Sequence, residues 1–207
     1  MLGRVTGAVA LLAVLAGCAS VPNPLAGATP SPAQAAPAVA PPATDPRMAA
    51  LVKSGTRPLT GPAVSAYMDQ VEQALSSQFA AHGISVTRQG NVIVVDVPAD
   101  KAFDTGQSTL KPASRPLLVA LGVALKHYSQ TVIDIYGYTD STGTPAAQRD
   151  LSQRRAVTVG TILAAQGVSQ ERFYIEGKGA ANPIAPNTTA EGRAQNRRVD
   201  IQIAPVI

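Results

Sequence analysis

Thr131-Val132-Ile133-Asp134-Ile135-Tyr136, then Gly137-Tyr138-Thr139-Asp140-Ser141-Thr142-Gly143, then Thr144-Pro145, is the stretch around which the chain is organised. The first six residues are rich in β-branched and aromatic types and read as a buried strand. Thr144-Pro145 reads as an N-cap followed by proline at the first helical position. The helix it opens is expected to run to Gly167, a residue suited to a C-terminal cap. Asp140 therefore falls in a short loop between the end of a strand and the start of a helix.

The helix carries an anomaly. At about 100° per residue from Leu151, Ile162 falls at about 20°, Val159 at about 80° and Leu163 at about 120°, which makes the buried stripe. Arg155, at about 40°, and Gln148, at about 60°, lie inside that stripe, whereas Arg154, at about 300°, faces solvent. An arginine on an apolar face is costly unless an anion neutralises it. Asp140 is the nearest obvious acid in sequence. Two readings follow: Arg155 pairs with Asp140 directly, or a ligand sits between them.

Several runs carry a family resemblance. Gly137-Tyr138-Thr139-Asp140, Leu151-Ser152-Gln153-Arg154-Arg155-Ala156, Gly167-Val168, Gly177-Lys178-Gly179 and Gly192-Arg193-Ala194-Gln195-Asn196-Arg197-Arg198-Val199 resemble the OmpA-like peptidoglycan-binding domain. The likeness spans roughly residues 90–205. It implies an α/β (α+β) two-layer sandwich, with helices packed on one mixed sheet. It also implies that Asp140 and Arg155 grip the diaminopimelate of a peptidoglycan stem peptide, with Thr139 and Gln148 beside them. Gln148 departs from the asparagine most often found there, so one ligand hydrogen bond is expected to be weakened or re-aimed. The Phe103-Asp104-Thr105-Gly106 loop lies beside the pocket in the family; Asp104 either contacts the peptide or caps its own turn. The helix before Gly83-Ile84-Ser85 looks closer to the small YiaD-type lipoproteins than to peptidoglycan-associated lipoprotein.

The chemistry is consistent with that resemblance. The free end of diaminopimelate is a zwitterion, with an ammonium and a carboxylate on one carbon. Binding it takes an anion beside a cation, and the planar fork of arginine suits a carboxylate.

Residues 1–17 read as a leader to be excluded from the fold. Arg4 supplies its positive end, and Val5 to Ala16 form an apolar run too short to span a bilayer. Leu15-Ala16-Gly17-Cys18 resembles the lipobox of bacterial lipoproteins. Cys18 is the only cysteine, so it has no disulfide partner. Acylation there would exceed the two-signal requirement for stable anchoring. The full chain has a formal net charge of +4, and cleavage before Cys18 would remove one basic residue, Arg4. Ala19 and Ser20 are not the aspartate expected of inner-membrane retention in enterobacteria, which points to the outer membrane with the folded part in the periplasm.

Residues 18–46 form a Pro/Ala-rich tether, with too little apolar bulk to fold. Its reach is roughly 30 Å as a coil and about 80 Å as extended polyproline II. Residues 47–83 make a pre-domain segment, ambiguous up to Thr60 and helical from Pro62. Its stripe Val64, Tyr67, Met68, Val71, Leu75 and Phe79 is either a core face or a surface for an envelope-protein partner. Residues 84–207 form the OmpA-like domain. Within it, Ile84 to Arg88 and Val92 to Val97 make a hairpin around Gln89-Gly90-Asn91. Lys111-Pro112 leads into a helix with apolar face Leu117, Leu118, Leu121, Ala124, Leu125 and Tyr128. Phe173 to Glu176 is a short strand, Gly177-Lys178-Gly179 a tight loop, and Val199, Ile201 and Ile203 a last, half-buried strand. Arg193, Arg197 and Arg198 are a cluster that either faces solvent with local ion pairs or receives anionic glycan or peptide carboxylates.

No cofactor is expected. His82 and His127 lack a third ligand at metal spacing, and Gly177-x-Gly179 lacks the length and following helix of a phosphate loop. Neither a paired-carboxylate cleft nor a zinc signature speaks for an enzyme acting on peptidoglycan. Nucleic acid is disfavoured by the leader, despite the positive charge. Cys18→Ser is expected to abolish lipid labelling and leave an uncleaved precursor. Palmitate incorporation that survives the change would refute the lipobox reading.

Overall fold

The computed structural model describes residues 45–207 together with Pro37. The expected leader, Cys18 and most of the expected Pro/Ala tether lie outside the described residues. No helix among them is long and apolar enough to cross a membrane.

The chain enters through a short helix, α1 (Pro46–Lys53), whose N-cap Asp45 accepts from the Arg47 backbone N–H at 2.8 Å. The longer α2 (Pro62–Phe79) has proline in its first turn. Its buried positions are Val64, Met68, Val71, Leu75 and Phe79, which follow the 3.6-residue period of one helical face. A 3-10 turn, Ala80–His82, and left-handed Gly83 at φ +64° end it. Strands β1 (Ser85–Gln89) and β2 (Val92–Pro98) then form an antiparallel hairpin. A single turn, α3 (Ala99–Ala102), follows β2. After a 3-10 turn at Pro112–Ser114 comes α4 (Arg115–His127). The remaining elements are β3 (Thr131–Tyr138), α5 (Pro145–Ala165), β4 (Phe173–Gly179), α6 (Ala190–Asn196) and β5 (Arg198–Pro205).

The sheet order is β1-β2-β5-β3-β4. Only β3 and β4 run parallel, joined by α5, as a parallel pair requires a crossover. The other neighbours are antiparallel. On one face, α2, α4 and α5 bury Met68, Leu75, Phe79, Leu121, Leu125, Val159 and Leu163 against Ile93, Val95, Ile133, Ile135, Ile201 and Ile203. The α2 stripe is thus a core face, continuous with the sheet that follows Gly83.

Two readings need correction. The last strand is not half-buried: all eight residues of β5 are buried. It is central in the sheet, and α1 covers part of the second face, where Met48 and Leu51 meet Val92, Val94, Val132, Ala204 and Val206. Arg47, paired with its neighbour Asp45, fastens this cover through Asp134 at 2.7 Å and the Arg172 carbonyl at 3.3 Å. Nor is Gly177-Lys178-Gly179 a loop; it completes β4 and pairs with the end of β3 across a one-residue shift of register, Gly137 opposite Gly177 and Tyr138 opposite Gly179.

Buried charges tie the elements together. Arg172 has no carboxylate partner among the described residues. It donates to the Leu125 and Tyr128 carbonyls at 2.6 and 2.9 Å, and to the Thr131 carbonyl and hydroxyl at 2.7 and 2.6 Å. Carbonyls at a helix C-terminus carry partial negative charge, so Arg172 clamps the end of α4 to the start of β3. Burial pushes its pKa down to about 10. On the second sheet face, Asp96 and Asp200 are direct cross-strand neighbours. Arg198 pairs with Asp200 at 3.1 Å and stacks 3.9 Å from the Tyr138 ring centre. Burial pushes Asp200 up to about 7 and Asp96 to about 6, only partly offset by the charge of Arg198.

A carboxylic acid whose folded pKa exceeds its unfolded value stabilises most where it is protonated, and that stability declines as pH climbs through the folded pKa. Asp96 has no ion-pair partner among the described residues and faces a like charge. Asp96→Asn is therefore expected to raise the thermal midpoint above neutrality. The gain should shrink as pH falls from about 6 towards the unfolded value of about 4. Thermal unfolding across this range checks it, and a pH-independent difference contradicts it.

Candidate functional site

The site starts where α5 lies closest to the sheet. A Cβ on Gly137 would stand 2.1 Å from the Ser152 carbonyl oxygen, and one on Gly177 would stand 2.3 Å from the Gln153 nitrogen. Only glycine allows that approach. Polar groups of α5 then complete the sheet: the Gly177 N–H donates to Gln153 Oε1 at 2.6 Å and the Gly179 N–H to Ser152 Oγ at 2.9 Å. Arg155, one turn further along, is carried inside with only 3% of its surface exposed.

The loop between β3 and α5 is shaped by its own side chains. The Thr139 N–H donates to the Gly179 carbonyl at 2.9 Å, extending the parallel pairing by one bond. Asp140 Oδ1 accepts from the Thr142 N–H at 2.8 Å, an Asx turn. Thr144 caps α5 by accepting from the Ala147 N–H. Gln148 Nε2 reaches back to the Thr142 and Gly143 carbonyls at 3.1 and 3.2 Å. The longer amide thus braces the loop.

Thr139, Asp140, Gln148 and Arg155 all line one cleft of about 600 Å³, together with Thr105, Gly106, Asp100 and Arg197. Asp104 is not among its walls. Its side chain is exposed, and its backbone closes the turn, with its N–H donating to the Thr109 carbonyl and its carbonyl accepting from the Gln107 N–H. Its loop neighbours Thr105 and Gly106 reach the cleft instead.

Of the two readings, the direct pair of Asp140 and Arg155 does not form. Asp140 Oδ2 is held at 2.6 Å by Nη1 of Arg197. The rest of that guanidinium grips Asp100, with Nε at 2.9 Å from Oδ1 and Nη2 at 2.6 Å from Oδ2. Burial acts to raise the Asp140 pKa, but the bonds from Arg197 and Thr142 outweigh it and hold it below the usual carboxylate range. The fork of Arg197 likewise holds Asp100 low. Arg155, by contrast, donates through Nε to the Gln107 carbonyl at 2.9 Å and stacks 5.3 Å from the Phe103 ring centre. Its Nη1 is buried with no hydrogen-bond partner among the described residues, as is Thr139 Oγ1. Burial pushes the Arg155 pKa down. Arg154 faces solvent and pairs with Asp150, as the helical count requires.

The arginine cluster is therefore split three ways. Arg198 is buried against Asp200, Arg197 enters the cleft, and Arg193 donates to the Asn187 carbonyl. Arg197 was not separable from its neighbours by composition. Its place follows from the pairing of Pro98 with Arg198 and from the Ala99 N–H donating to the Arg197 carbonyl at 2.9 Å, which bring it beside Asp100.

Five strands in this order, with the three long helices on one face and the cleft at the carboxyl end of β3, place the molecule in the OmpA-like class of α/β domains. The chain belongs to the OmpA family, which it matches over residues 102–197. It is 43% identical over 157 residues to the probable lipoprotein YiaD of Escherichia coli, covering 76% of this chain and 72% of that one. It is 40% identical over 102 residues to the peptidoglycan-binding protein ArfA of Mycobacterium tuberculosis, 49% of this chain and 31% of that one. Among solved structures, the cell wall anchor of the type VI secretion system from Pseudomonas aeruginosa superposes with a TM-score of 0.58. That match has 29% identity and covers 65% of this chain and 96% of the other.

Gly177→Ala is expected to cost about 1–3 kcal/mol or more, because the added carbon meets helix backbone that cannot swing aside. At Gly160 the nearest obstacle is the flexible end of Ile175, at 2.5 Å. Gly160→Ala should therefore lose less. Urea unfolding of both variants checks the order, and equal losses contradict it.

Proposed function

We propose that this chain is a non-catalytic peptidoglycan-binding lipoprotein that grips the free zwitterionic end of diaminopimelate in the stem peptide. Acylated at Cys18, it would tie the outer membrane to the cell wall from the periplasmic side. The observation that carries the reading is the buried Arg155 guanidinium, with its unpartnered Nη1, lining the same cleft as the Asp140 carboxylate. Arg155 takes the ligand carboxylate and Asp140 its ammonium. Thr139 Oγ1 supplies a further polar contact, and Gln148 holds the loop that presents Asp140.

The relatives support the class of ligand. ArfA is named as peptidoglycan-binding, and the superposed secretion-system domain is a cell wall anchor. The acids of the cleft support a binder over a hydrolase. Asp100 and Asp140 are both held ionised by Arg197, and a general acid needs a proton near the working pH.

A charge-assisted hydrogen bond contributes roughly 1.5–3 kcal/mol. Asp140→Ala and Arg155→Ala should each weaken binding about tenfold or more, and the double mutant should lose less than the sum. Arg154→Ala should change little. Lysine-type peptide lacks the carboxylate that Arg155 would hold and should bind more weakly. Isothermal titration of a diaminopimelate stem peptide and its lysine analogue tests this, alongside incubation with sacculi, which should release no muropeptides. Equal affinity for the two peptides, or a larger loss at Arg154 than at Arg155, sinks the reading.

A further inference from the structure

The two charged walls of the cleft are not equivalent. The cation, Arg155, has no carboxylate within ion-pair distance among the described residues and keeps one buried nitrogen unpartnered. The anion, Asp140, is already neutralised at 2.6 Å by Arg197. We infer that Arg197 is an internal counter-cation that occupies Asp140 in place of a ligand ammonium, so that the cleft accepts a zwitterion but turns away a lone amine. This rests on the function proposed above and concerns how the same cleft selects.

Each ligand exchanges a different set of partners. A lone amine that reaches Asp140 must share or displace the Arg197 bond and brings nothing for Arg155. It trades one charge-assisted bond for another and also loses its own hydration. A lone carboxylate meets Arg155 without breaking an existing ion pair. A zwitterion does both at once: its carboxylate satisfies the buried nitrogen of Arg155, and its ammonium reaches Asp140 with that gain already made. Discrimination thus comes as much from the pre-existing partner of Asp140 as from any contact with the ligand, which is selection by raising the cost of the wrong ligand.

The geometry lets Arg197 yield without leaving. Two of its nitrogens, Nε and Nη2, hold Asp100 as a fork, and only Nη1 reaches Asp140. Asp100 is half exposed, at 50% of its side chain, whereas Asp140 is mostly enclosed, at 11%. A small rotation about the Asp100 fork releases Nη1 and leaves the cation paired at the rim. The backbone bond from Ala99 to the Arg197 carbonyl keeps the residue in place while the side chain moves. The released Nη1 then faces the cleft, where the ligand carboxylate offers it a second partner.

Arg197→Gln removes the competitor while keeping a polar side chain. Asp100→Asn removes the resting place, leaving Arg197 to Asp140 alone. The experiment is isothermal titration of wild type and both variants with a diaminopimelate stem peptide and with its lysine analogue, with thermal unfolding to confirm each fold. Arg197→Gln is expected to raise affinity for the lysine peptide and shrink the ratio between the two peptides roughly tenfold, the factor for one charge-assisted bond. Asp100→Asn is expected to weaken the lysine peptide further and widen the ratio. If Arg197→Gln weakens both peptides by the same factor, Arg197 is an ordinary contact and the inference is overturned. If that variant fails to fold, a ratio for Asp100→Asn equal to or narrower than that of wild type overturns it instead. A wild-type protein that does not distinguish the peptides sinks the proposed function itself. A wild type that does, with an unchanged ratio in both variants, sinks only this inference.

Discussion

Close packing of α5 on β3 and β4 is the constraint from which the rest of the structure follows. Gly137 and Gly177 remove the side chains that would otherwise hold the helix off the sheet, and the contact atoms are helix backbone. With that gap closed, Ser152 and Gln153 complete hydrogen bonds of the strand ends. Arg155 is then carried into a space too narrow for a solvated guanidinium. The cleft is thus a by-product of packing: a cation is enclosed by the fold, and its fourth wall is the loop that the same helix caps.

Of the three enclosed arginines, the protein satisfies two and leaves one short of a partner. Arg172 is saturated by carbonyls, and Arg198 by Asp200 and the Tyr138 ring. Both hold elements together and leave nothing over for a ligand. Arg155 keeps a donor free. A buried donor without a partner costs on the order of 1–3 kcal/mol, so the fold carries a local penalty that a carboxylate in the cleft would remove. That contrast among three enclosed arginines separates a site from a structural knot.

Much of this was legible in the chain because local rules agree with the fold. Thr144-Pro145 and Gly167 bound α5 as capping chemistry requires, the apolar period of α2 matches its buried face, and Gly90 turns the first hairpin. The angular count alone put Arg155 inside and Arg154 outside. What was not legible depends on partners distant in sequence. Glycines at 177 and 179 read as a loop because their strand propensity is low; the nearness of α5 explains Gly177, and a left-handed backbone at φ +59° explains Gly179. β5 read as half-buried because α1, the element covering its second face, carries little pattern of its own. Arg197 belongs to the cleft through the β2–β5 register, which brings it to Asp100, 97 residues away.

The chain enters at Asp45 and α1, against Val132 and Val206, whereas the cleft opens at Thr139 and Asp140. The ion pairs of Arg47 fix that entry beside Asp134, midway along β3, and the cleft lies past the last residue of the strand, Tyr138. Tension between a held ligand and the entering chain would therefore run along the strands. The ladder bonds on either side of β3 lie across that line and resist in shear, as a set, instead of opening one after another like a zip. The short α1, held on by Met48 and Leu51 and by the contacts of Arg47 with Asp134, Tyr174 and the Arg172 carbonyl, lies where it can peel. A sustained pull would lengthen the connection there first and leave the grip at Asp140 undisturbed.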